Sequence, residues 1–362
     1  ETSTQEALGR LLTQLADLPQ IGERIVTAAP DVSVSTNLGG WINKAGVYSA
    51  SVEHIYDESP RLLRWEPKPS GQHIELGISE MNLFMWLAMF GLSHELSGQL
   101  LFPIGTVYDP FISRGLDALN YACYQDAPFM LVATPSGVTL GPEGGAHQSI
   151  NPPLIAMGQP GLRHYEPAFV DELALFMEAG FRLMQAEDGE SVYLRLTTRT
   201  IRQVERTDDS WKDGALKGGY WLRKPAPGTE AALVYSGAIA PEALAAWEAL
   251  KDDMPGLGLL AITSPDLLHR GWSGRRSARW GGKGSGPSHV ETLLAPLSRG
   301  AGLVTLLDGA PAALSWLGGV AGHKVSPLGL DRFGQTGNLE DLYRYYRLDV
   351  DAIVQGAAQL FL

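Results

Sequence analysis

Strand-like and helix-like segments alternate along most of this chain, and this alternation limits the possible folds more than any other feature. The apolar runs QLLFPI, PFMLVAT and VYLRLTT are typical of strands, and the segments DPFISRGLDALNYACYQD and PAFVDELALFMEAGFRLMQ between them have helical spacing. Parallel strands need crossover connections of this kind, and the connecting helices then cover the sheet on both faces. The order therefore predicts an α/β protein with a mostly parallel sheet.

A polar stretch interrupts this alternation near the middle of the chain. The sequence QVERTDDSWKDGALKGGYWLRKPAPGT is rich in charged residues and glycine, and the alternation resumes with EAALVYSG and LGLLAIT. With 362 residues, of which 44% are hydrophobic, the chain can form two cores. We predict two doubly wound domains, over residues 1–205 and 230–362, joined by a linker over 206–229.

Composition argues against several kinds of partner. A net charge of −12 disfavours a nucleic-acid surface, because phosphate binding needs clustered cations. The longest apolar run, LFMWLAMFGL at 83–92, is about half the length of a membrane-spanning helix, so it predicts a buried helix and no membrane contact. The single cysteine, Cys123, allows no internal disulfide, and we expect a cytoplasmic protein.

The most basic and glycine-rich segment is SGRRSARWGGKGSGPSH, at residues 273–289. Its GGKG differs from a phosphate-binding loop because Lys283 is followed by Gly284 instead of serine or threonine. We expect a mobile surface loop here, with contact to a partner chain as the alternative.

Three short stretches carry side chains suited to a functional site. Glu80, in GISEMN, lies where a strand-like segment gives way to the apolar helix. Tyr108, Phe111 and Arg114 follow one another at intervals of three in GTVYDPFISR, on one face of a forming helix. His147 follows the glycine-rich GPEGGA, where the backbone can approach a ligand closely. Taken singly, these residues also fit a helix-end charge, a core or a surface turn.

The order of these motifs resembles the pyrimidine-binding domain of thiamine-diphosphate enzymes of the transketolase and pyruvate dehydrogenase E1 superfamily. The resemblance extends through GISE, FPIGTVYDPFISR, PFMLVATPSGVTLGPEGGAHQS and GLRHYEPAFVDE, in that order. Near the other end, SPLGLDRFGQTGNLEDLYRYYRLDVDAIV is similar to the C-terminal domain of the superfamily. The segments RIVTAAPDVSVSTNLGGWINKAGVYS and YEPAFVDELALFMEAGFRLM are most similar to the homodimeric bacterial type of E1.

The resemblance implies a cofactor-binding role for five residues. Glu80 matches the glutamate that hydrogen-bonds the pyrimidine of thiamine diphosphate, so that the cofactor's own aminopyrimidine acts as the base. Tyr108 and Phe111 match the aromatic residues on which the pyrimidine stacks, and Arg114 matches a position near the cofactor. Asp31, in AAPDVSVSTN, matches an acidic residue on the thiazolium side of the site.

The resemblance also implies residues on the substrate side. His147 matches the histidine of transketolase loops that reaches a substrate oxygen, which implies proton transfer or hydrogen bonding there. Arg163 and His164, in GLRHYEP, and Arg199, in LTTRTIRQ, are further candidates for the same cleft. Arg199 resembles an arginine that transketolases use for a sugar phosphate, and an exposed cation is the alternative.

The superfamily binds the diphosphate and its divalent metal through a Gly-Asp-Gly motif that is followed by an asparagine. This motif is not found in the sequence, and LLDGAP at 306–311 differs in its first residue. We therefore expect this chain to supply no metal ligand and to hold the aminopyrimidine half of the cofactor. A companion subunit, in an α2β2 assembly, is expected to hold the diphosphate and Mg²⁺. Because the chain starts at Glu1, a longer polypeptide that was cut is the alternative.

The resemblance leaves two reactions open. Similarity to the homodimeric E1 implies decarboxylation of a 2-oxo acid with transfer of the acyl group to a lipoyl carrier, and we place this reaction first. Arg199 and the His147 loop favour a ketol transfer like that of transketolase, or an acyloin-type carboligation. Glu80 argues against a non-catalytic homologue, because a carboxylate in an apolar pocket is costly unless it is paired.

Overall fold

The computed structural model describes residues 1–51, 67–282, 284 and 286–361, and its first domain is built on a six-stranded sheet. Every neighbouring pair of strands is parallel, in the order β2-β1-β3-β4-β6-β5. The strands are β1 (Ile25–Ala29), β2 (His73–Glu75), β3 (Phe102–Val107), β4 (Met130–Ala133), β5 (Leu162–Tyr165) and β6 (Ser191–Arg195).

Helices cover both faces of this sheet, as the alternating side chains of β4 indicate. Met130 and Val132 pack into one core with α1, α3 and α8, whereas Leu131 and Ala133 pack into a second core with α4 and α6. The helices are α1 (Thr4–Leu15), α2 (Pro19–Gly22), α3 (Gly39–Ala45), α4 (Glu80–Gly91), α5 (Ser93–Ser97), α6 (Leu116–Tyr124), α7 (Pro152–Gly158) and α8 (Val170–Leu183). The predicted α/β class is confirmed.

The second domain is built on a five-stranded sheet in the order β11-β10-β8-β9-β7, in which β7 alone is antiparallel to its neighbour. Its strands are β7 (Gly219–Arg223), β8 (Thr229–Ser236), β9 (Gly258–Ile262), β10 (Leu297–Leu307) and β11 (Lys324–Leu328). Its helices are α9 (Trp211–Leu216), α10 (Ala240–Leu250), α11 (Pro265–Trp280), α12 (His289–Leu294), α13 (Ala312–Ser315), α14 (Gly318–Ala321), α15 (Leu339–Tyr345) and α16 (Val350–Gln359).

The predicted linker over 206–229 is wrong where the segment forms α9 and the edge strand β7. Two aromatic residues anchor it despite the polar composition. The rings of Trp211 and Tyr220 are both buried, with centroids 5.6 Å apart, and the Tyr220 hydroxyl donates to Glu172 of α8 at 2.5 Å. The segment therefore joins the two domains by packing against both.

The predicted surface loop over 273–289 is wrong for residues 273–280, because α11 continues to Trp280. The guanidinium carbon of Arg276 lies 5.0 Å from the ring centroid of Trp272 and 5.5 Å from that of Trp280, so cation–π contacts line the helix surface. Lys283 lies outside the described residues.

The predicted buried helix at 83–92 is α4, which is buried on one side only. Leu83, Phe84 and Leu87 are buried, whereas Met85 and Met89 are exposed. No helix within the described ranges is both long and apolar enough to span a membrane.

The carboxyl ends of the two sheets face each other. The backbone N–H of Glu166, after β5, donates to the carbonyl of Thr263, after β9, at 2.8 Å. Arg195, the last residue of β6, donates from Nη2 to the carbonyl of Asp308, after β10, at 2.8 Å, and the N–H of Val138 donates to Asp308 Oδ1 at 3.1 Å. Ligand sites of open α/β sheets lie at this end of the strands.

Replacing Tyr220 with Phe tests the anchoring of β7 on the first domain. Burial raises the pKa of Glu172, and the Tyr220 hydroxyl opposes that rise by hydrogen-bonding the carboxylate. We expect Tyr220→Phe to lower the free energy of unfolding at neutral pH by about 1–3 kcal/mol, measured by urea denaturation. Tyr345→Phe, at a half-exposed ring, is the control, and equal losses in the two variants would contradict the prediction.

Candidate functional site

Glu80 is a buried carboxylate at the first turn of α4. Its side chain is 6% exposed, and its Oε1 accepts a hydrogen bond from Arg114 Nη1 at 2.9 Å, whereas the Arg114 side chain is 52% exposed. The helix dipole and the guanidinium together supply the compensation that a buried carboxylate needs. No hydrogen bond to Oε2 is formed by any residue that the structure describes, so that oxygen is free to receive a ligand.

Tyr108 directly precedes the 3₁₀ helix Asp109–Gly115 that follows β3, and Phe111 lies within that helix. Their ring centroids are 6.1 Å apart with an interplanar angle of 15°, and the guanidinium carbon of Arg114 lies 3.9 Å from the Phe111 centroid. The 3₁₀ helix packs tightly on α4 because residue 115 is glycine, and a Cβ there would lie 2.1 Å from Cδ2 of Phe84. The Tyr108 and Phe111 rings, which we call the aromatic platform, therefore lie beside Glu80.

His147 lies in a short turn of 3₁₀ helix next to the aromatic platform. Its ring meets Tyr108 edge-on with centroids 6.0 Å apart, and Phe111 with centroids 5.7 Å apart. Its Nδ1 is buried, lies 3.7 Å from Glu143 Oε2 and makes no hydrogen bond with the described part of the chain. The structure thus brings together the carboxylate, the aromatic pair and the histidine that the sequence singled out.

Glycines hold the His147 loop against the second domain. Gly144 has a φ of +78°, and a Cβ there would lie 2.3 Å from Thr336 Oγ1, while a Cβ at Gly145 would lie 2.6 Å from the carbonyl of Gly334. Next to the histidine, Gln148 Nε2 donates to the carbonyl of Gln335 at 2.9 Å. The glycine-rich sequence is therefore needed for the close packing of this loop on the second domain.

Asp31 follows β1 at the same end of the sheet, with an exposed side chain and a left-handed φ of 63°. Its backbone N–H donates to Glu75, the last residue of β2, which also accepts hydrogen bonds from Ser33 and His73. Burial alone would raise the pKa of Glu75, but these hydrogen bonds hold it below its usual value. The structure places Asp31 at the carboxyl end of β1. Residues 52–66 lie outside the described part of the chain.

The two arginines predicted for the substrate side are each paired with a glutamate. Arg163 donates from Nε to Glu190, which also accepts from Arg270 Nη1 at 2.7 Å. Arg199 forms a two-pronged pair with Glu242 through Nη1 at 2.7 Å and Nη2 at 2.6 Å. Their charges are neutralised within this chain, so neither presents an isolated cation to a phosphate.

His164 has no exposed surface and therefore does not face an open cleft. Its ring stacks on Tyr193 with centroids 4.8 Å apart, and both of its ring nitrogens are buried without hydrogen bonds to described residues. Burial, reinforced by the charge of Arg195, lowers the pKa of His164 to about 3, so the imidazole is neutral at pH 7.

A buried charged cluster, which was not predicted from the sequence, lies directly behind the aromatic platform. Asp109 follows Tyr108 and is completely buried, and its carboxylate accepts hydrogen bonds from the hydroxyls of Ser149 and Tyr193. Arg195 Nε also donates to Asp109, at 2.9 Å. The signal for this cluster is the arginine in VYLRLTT, because charged residues are rarely buried in a central strand unless they are paired.

The same arginine forms hydrogen bonds on both sides of the domain boundary. Arg195 Nη1 donates to Glu166 Oε1 at 2.6 Å, and its Nη2 reaches the carbonyl of Asp308. Burial raises the pKa of Glu166 to about 7 and that of Asp308 to about 6, against the opposing charge of Arg195. The cluster therefore binds protons more tightly in the folded chain than in the unfolded chain.

The matches to known proteins place the chain in the superfamily that contains pyruvate dehydrogenase E1 and transketolase, whose members depend on thiamine diphosphate. Residues 1–202 match the family model of the pyruvate dehydrogenase E1 component middle domain. The chain belongs to this family.

Curated relatives extend the likeness beyond the matched domain. The pyruvate dehydrogenase E1 component of Pseudomonas aeruginosa is 26% identical over 375 residues, which cover 99% of this chain and 42% of that protein. The E1 component of Mycolicibacterium smegmatis is 28% identical, with coverage of 99% and 39%. The chain thus spans about two fifths of the length of these relatives.

Solved structures show the same fold. Transketolase from Leishmania mexicana has a TM-score of 0.75 at 17% identity and covers 99% of this chain, which matches 45% of that enzyme. A second structure, described as a split gene transketolase in an inactive beta4 tetramer, has a TM-score of 0.66 at 18% identity, and the match covers 99% of this chain and 98% of that one.

The described residues fit the pyrimidine half of thiamine diphosphate. The near-parallel aromatic rings suit a flat heterocycle, and Glu80 and the partly exposed imidazole of His147 supply polar groups beside them. Within 1–51, 67–282, 284 and 286–361, no three His, Cys, Asp or Glu side chains are grouped to hold a metal ion.

The pKa of Glu166 predicts how stability depends on pH. Because this pKa is raised from 4.5 to about 7, the folded state binds the proton more tightly. The resulting stabilisation is complete below about pH 4.5 and is lost as the pH rises through about 7, with a slope of at most about 1.4 kcal/mol per pH unit.

Urea unfolding at several pH values checks this prediction. Glu166→Gln removes the titrating group, so the free energy of unfolding of this variant should fall less steeply with pH than that of the wild type. The control, Glu248→Gln, changes an exposed glutamate and should follow the wild-type curve. Parallel curves for Glu166→Gln and wild type would contradict the assignment.

Proposed function

We propose that this chain is the β-like, pyrimidine-binding half of a thiamine-diphosphate enzyme that cleaves a carbon–carbon bond of a 2-oxo acid. The observation that carries the proposal is the buried carboxylate of Glu80, which has one oxygen bound by Arg114 and lies beside the aromatic platform. When bound, thiamine diphosphate would supply a nucleophilic carbon for reaction with the carbonyl of the donor.

Each residue of the site then has a task that its geometry supports. Glu80 hydrogen-bonds the pyrimidine ring and holds a proton there, and Arg114 keeps the carboxylate oriented. Tyr108 and Phe111 hold the ring by stacking. His147, whose side chain is 36% exposed, binds a substrate oxygen and moves a proton at that oxygen.

The pairing of the arginines supports a 2-oxo acid over a sugar phosphate. Arg199 is the candidate for a phosphate group and Arg163 a further candidate for the same cleft, and each is neutralised by a glutamate. The names of the curated relatives support the same choice, because they are pyruvate dehydrogenase E1 components. Transfer of the acyl group to a lipoyl carrier is part of this proposal, and ketol transfer or acyloin carboligation is the second candidate, supported by the fold of transketolase.

An exposed apolar face next to Glu80 supports a companion subunit. Met81, Met85 and Met89 form an exposed stripe along α4 that starts one residue after Glu80, and Tyr121 and Tyr124 of α6 are exposed beside it. We propose that a companion chain carrying the diphosphate-binding domain and Mg²⁺ joins this chain in a cytoplasmic α2β2 assembly. The inactive beta4 tetramer named for the split gene transketolase supports a β-like chain that needs its partner for activity.

Binding and turnover test the role of Glu80. This chain is co-expressed with the product of the neighbouring reading frame, and thiamine diphosphate with Mg²⁺ is titrated calorimetrically into the pair. We expect binding and turnover of pyruvate by the pair, and a loss of about 100-fold or more in kcat for Glu80→Gln. The exposed Glu95→Gln serves as control. Wild-type turnover by Glu80→Gln would refute the role of this carboxylate.

The donor is identified in the same assay by reduction of a dye. Pyruvate and a ketose phosphate are compared at equal concentrations with the wild-type pair. Reduction with pyruvate alone supports the 2-oxo acid, whereas reduction with the ketose phosphate alone would replace it by the ketol-transfer candidate.

The methionine stripe gives a separate prediction about assembly. Met85→Glu places a charge in the middle of the exposed apolar face, so we expect it to prevent association with the companion chain, as seen by sedimentation velocity. Leu18→Glu, at an exposed leucine between α1 and α2, is the matched control. Normal assembly of Met85→Glu would show that the face is not the contact.

A further inference from the structure

We infer that Ser149 and Asp109 form a bridge that positions His147 against the aromatic platform, and that Arg195 holds this bridge in place. The inference deepens the proposed function and rests on it, since it concerns the placement of the proton-transferring group. Ser149, Asp109 and Arg195 are positioning residues here, because they act through their neighbours.

The bridge joins the two segments that carry the functional rings. Asp109 comes directly after Tyr108, and Ser149 comes two residues after His147. The Ser149 hydroxyl donates to Asp109 Oδ2, and this hydrogen bond is completely buried. A movement of the His147 loop relative to the platform therefore has to break or stretch the bond.

Ser149 is itself fixed to the end of β4. Its Oγ accepts the backbone N–H of Gly137 at 2.9 Å, and its own N–H donates to the carbonyl of Gly137 at 3.0 Å. The hydroxyl thus uses its donor and its acceptor on two different segments of the site. Ser149 Oγ also accepts from Arg195 Nη2 at 3.5 Å, so an alanine at this position removes three hydrogen bonds and leaves the backbone pairing intact.

Asp109 is a rigid acceptor because three donors hold its carboxylate. Besides Ser149, the hydroxyl of Tyr193 and Nε of Arg195 donate to it, and none of these groups is exposed beyond 3%. Charge-assisted hydrogen bonds are stronger than neutral ones, and burial strengthens them further. The carboxylate cannot turn to follow a displaced loop.

The same cluster connects the bridge to the second domain. Arg195 donates to the carbonyl of Asp308, and the Asp308 carboxylate accepts from the N–H of Val138. Gly137 lies so close that a Cβ would be 2.2 Å from Cγ of Asp308. The second domain therefore packs against Gly137, to which Ser149 is hydrogen-bonded, and it contributes to the position of His147. A misplacement of about 1 Å in a catalytic group can cost about 100-fold in rate.

A double-mutant cycle separates positioning from general stabilisation. The variants are Ser149→Ala, His147→Ala and the double variant, each measured in the complex with the companion chain. We expect Ser149→Ala to lower kcat by about 10-fold while the Kd for thiamine diphosphate changes by less than about 3-fold. In the His147→Ala background, Ser149→Ala should lower kcat by less than about 2-fold, because its effect passes through His147.

The control is Ser191→Ala. Ser191 is an equally buried serine whose Oγ donates to the carbonyl of Ala127 at 2.7 Å and accepts the N–H of Phe129 at 3.2 Å, at the amino ends of β4 and β6. This variant should lose similar stability to urea and keep kcat. Equal losses of kcat in the Ser149 and Ser191 variants, or additive effects in the cycle, would overturn the inference.

A second readout does not depend on activity. The ring protons of His147 lie beside the Tyr108 and Phe111 rings, so their NMR shifts report the ring contacts directly. The His147→Ala spectrum assigns the signal, which should move toward its unfolded position in Ser149→Ala and stay in place in Ser191→Ala. An unmoved signal in Ser149→Ala would refute the bridge. A complex that shows the shift but neither binds the cofactor nor turns over pyruvate would instead refute the proposed function.

Discussion

The buried guanidinium of Arg195 is the interaction on which the arrangement of the site depends. It binds Asp109 behind the aromatic platform, Glu166 after β5 and the carbonyl of Asp308 in the second domain. Removing a charge from water costs several kcal/mol, and the cost is offset only while every partner stays in hydrogen-bonding distance. The ends of β3, β5 and β10 are thereby held beside the end of β6, and the aromatic platform directly follows β3.

Glu80 and Asp109 show how two buried carboxylates in one site can have different uses. Asp109 accepts hydrogen bonds from three donors and has no exposed surface, so no ligand can reach its carboxylate. Glu80 has one recorded donor, Arg114, and that donor approaches from the exposed side. A carboxylate whose charge is compensated, but which still has an oxygen without a donor, can hydrogen-bond an incoming ring without first losing a partner. This difference supports Glu80, and not Asp109, as the group that binds the cofactor.

Sequence reasoning found the parts of the site that follow one another along short motifs and missed the parts that meet across the fold. Glu80, Tyr108 and His147 stand at the ends of recognisable strands, so their grouping follows from the parallel order of the sheet. Arg195 lies four residues before Arg199. Sequence reasoning selected Arg199, because it resembles a phosphate-binding arginine, and did not select Arg195. The direction of its side chain determines which of the two arginines joins the buried charged cluster, and the sequence pattern does not indicate that direction. The prediction of a linker over 206–229 was wrong for a related reason. The two aromatic residues that anchor this segment, Trp211 and Tyr220, stand among many charged residues, so the composition resembles that of a linker.

The position of the methionine stripe links assembly to chemistry under the proposed function. Met81, Met85 and Met89 continue the helix that Glu80 begins, so a chain that covers the stripe also covers the exposed side of the site where Arg114 lies. Exclusion of water strengthens the electrostatic interactions of the covered carboxylate and guanidinium. Subunit association and activation of the cofactor site are therefore expected to occur as one event. On this argument the side chains supplied here are already in place before association, and the companion chain contributes the missing cofactor ligands together with the low-dielectric surroundings.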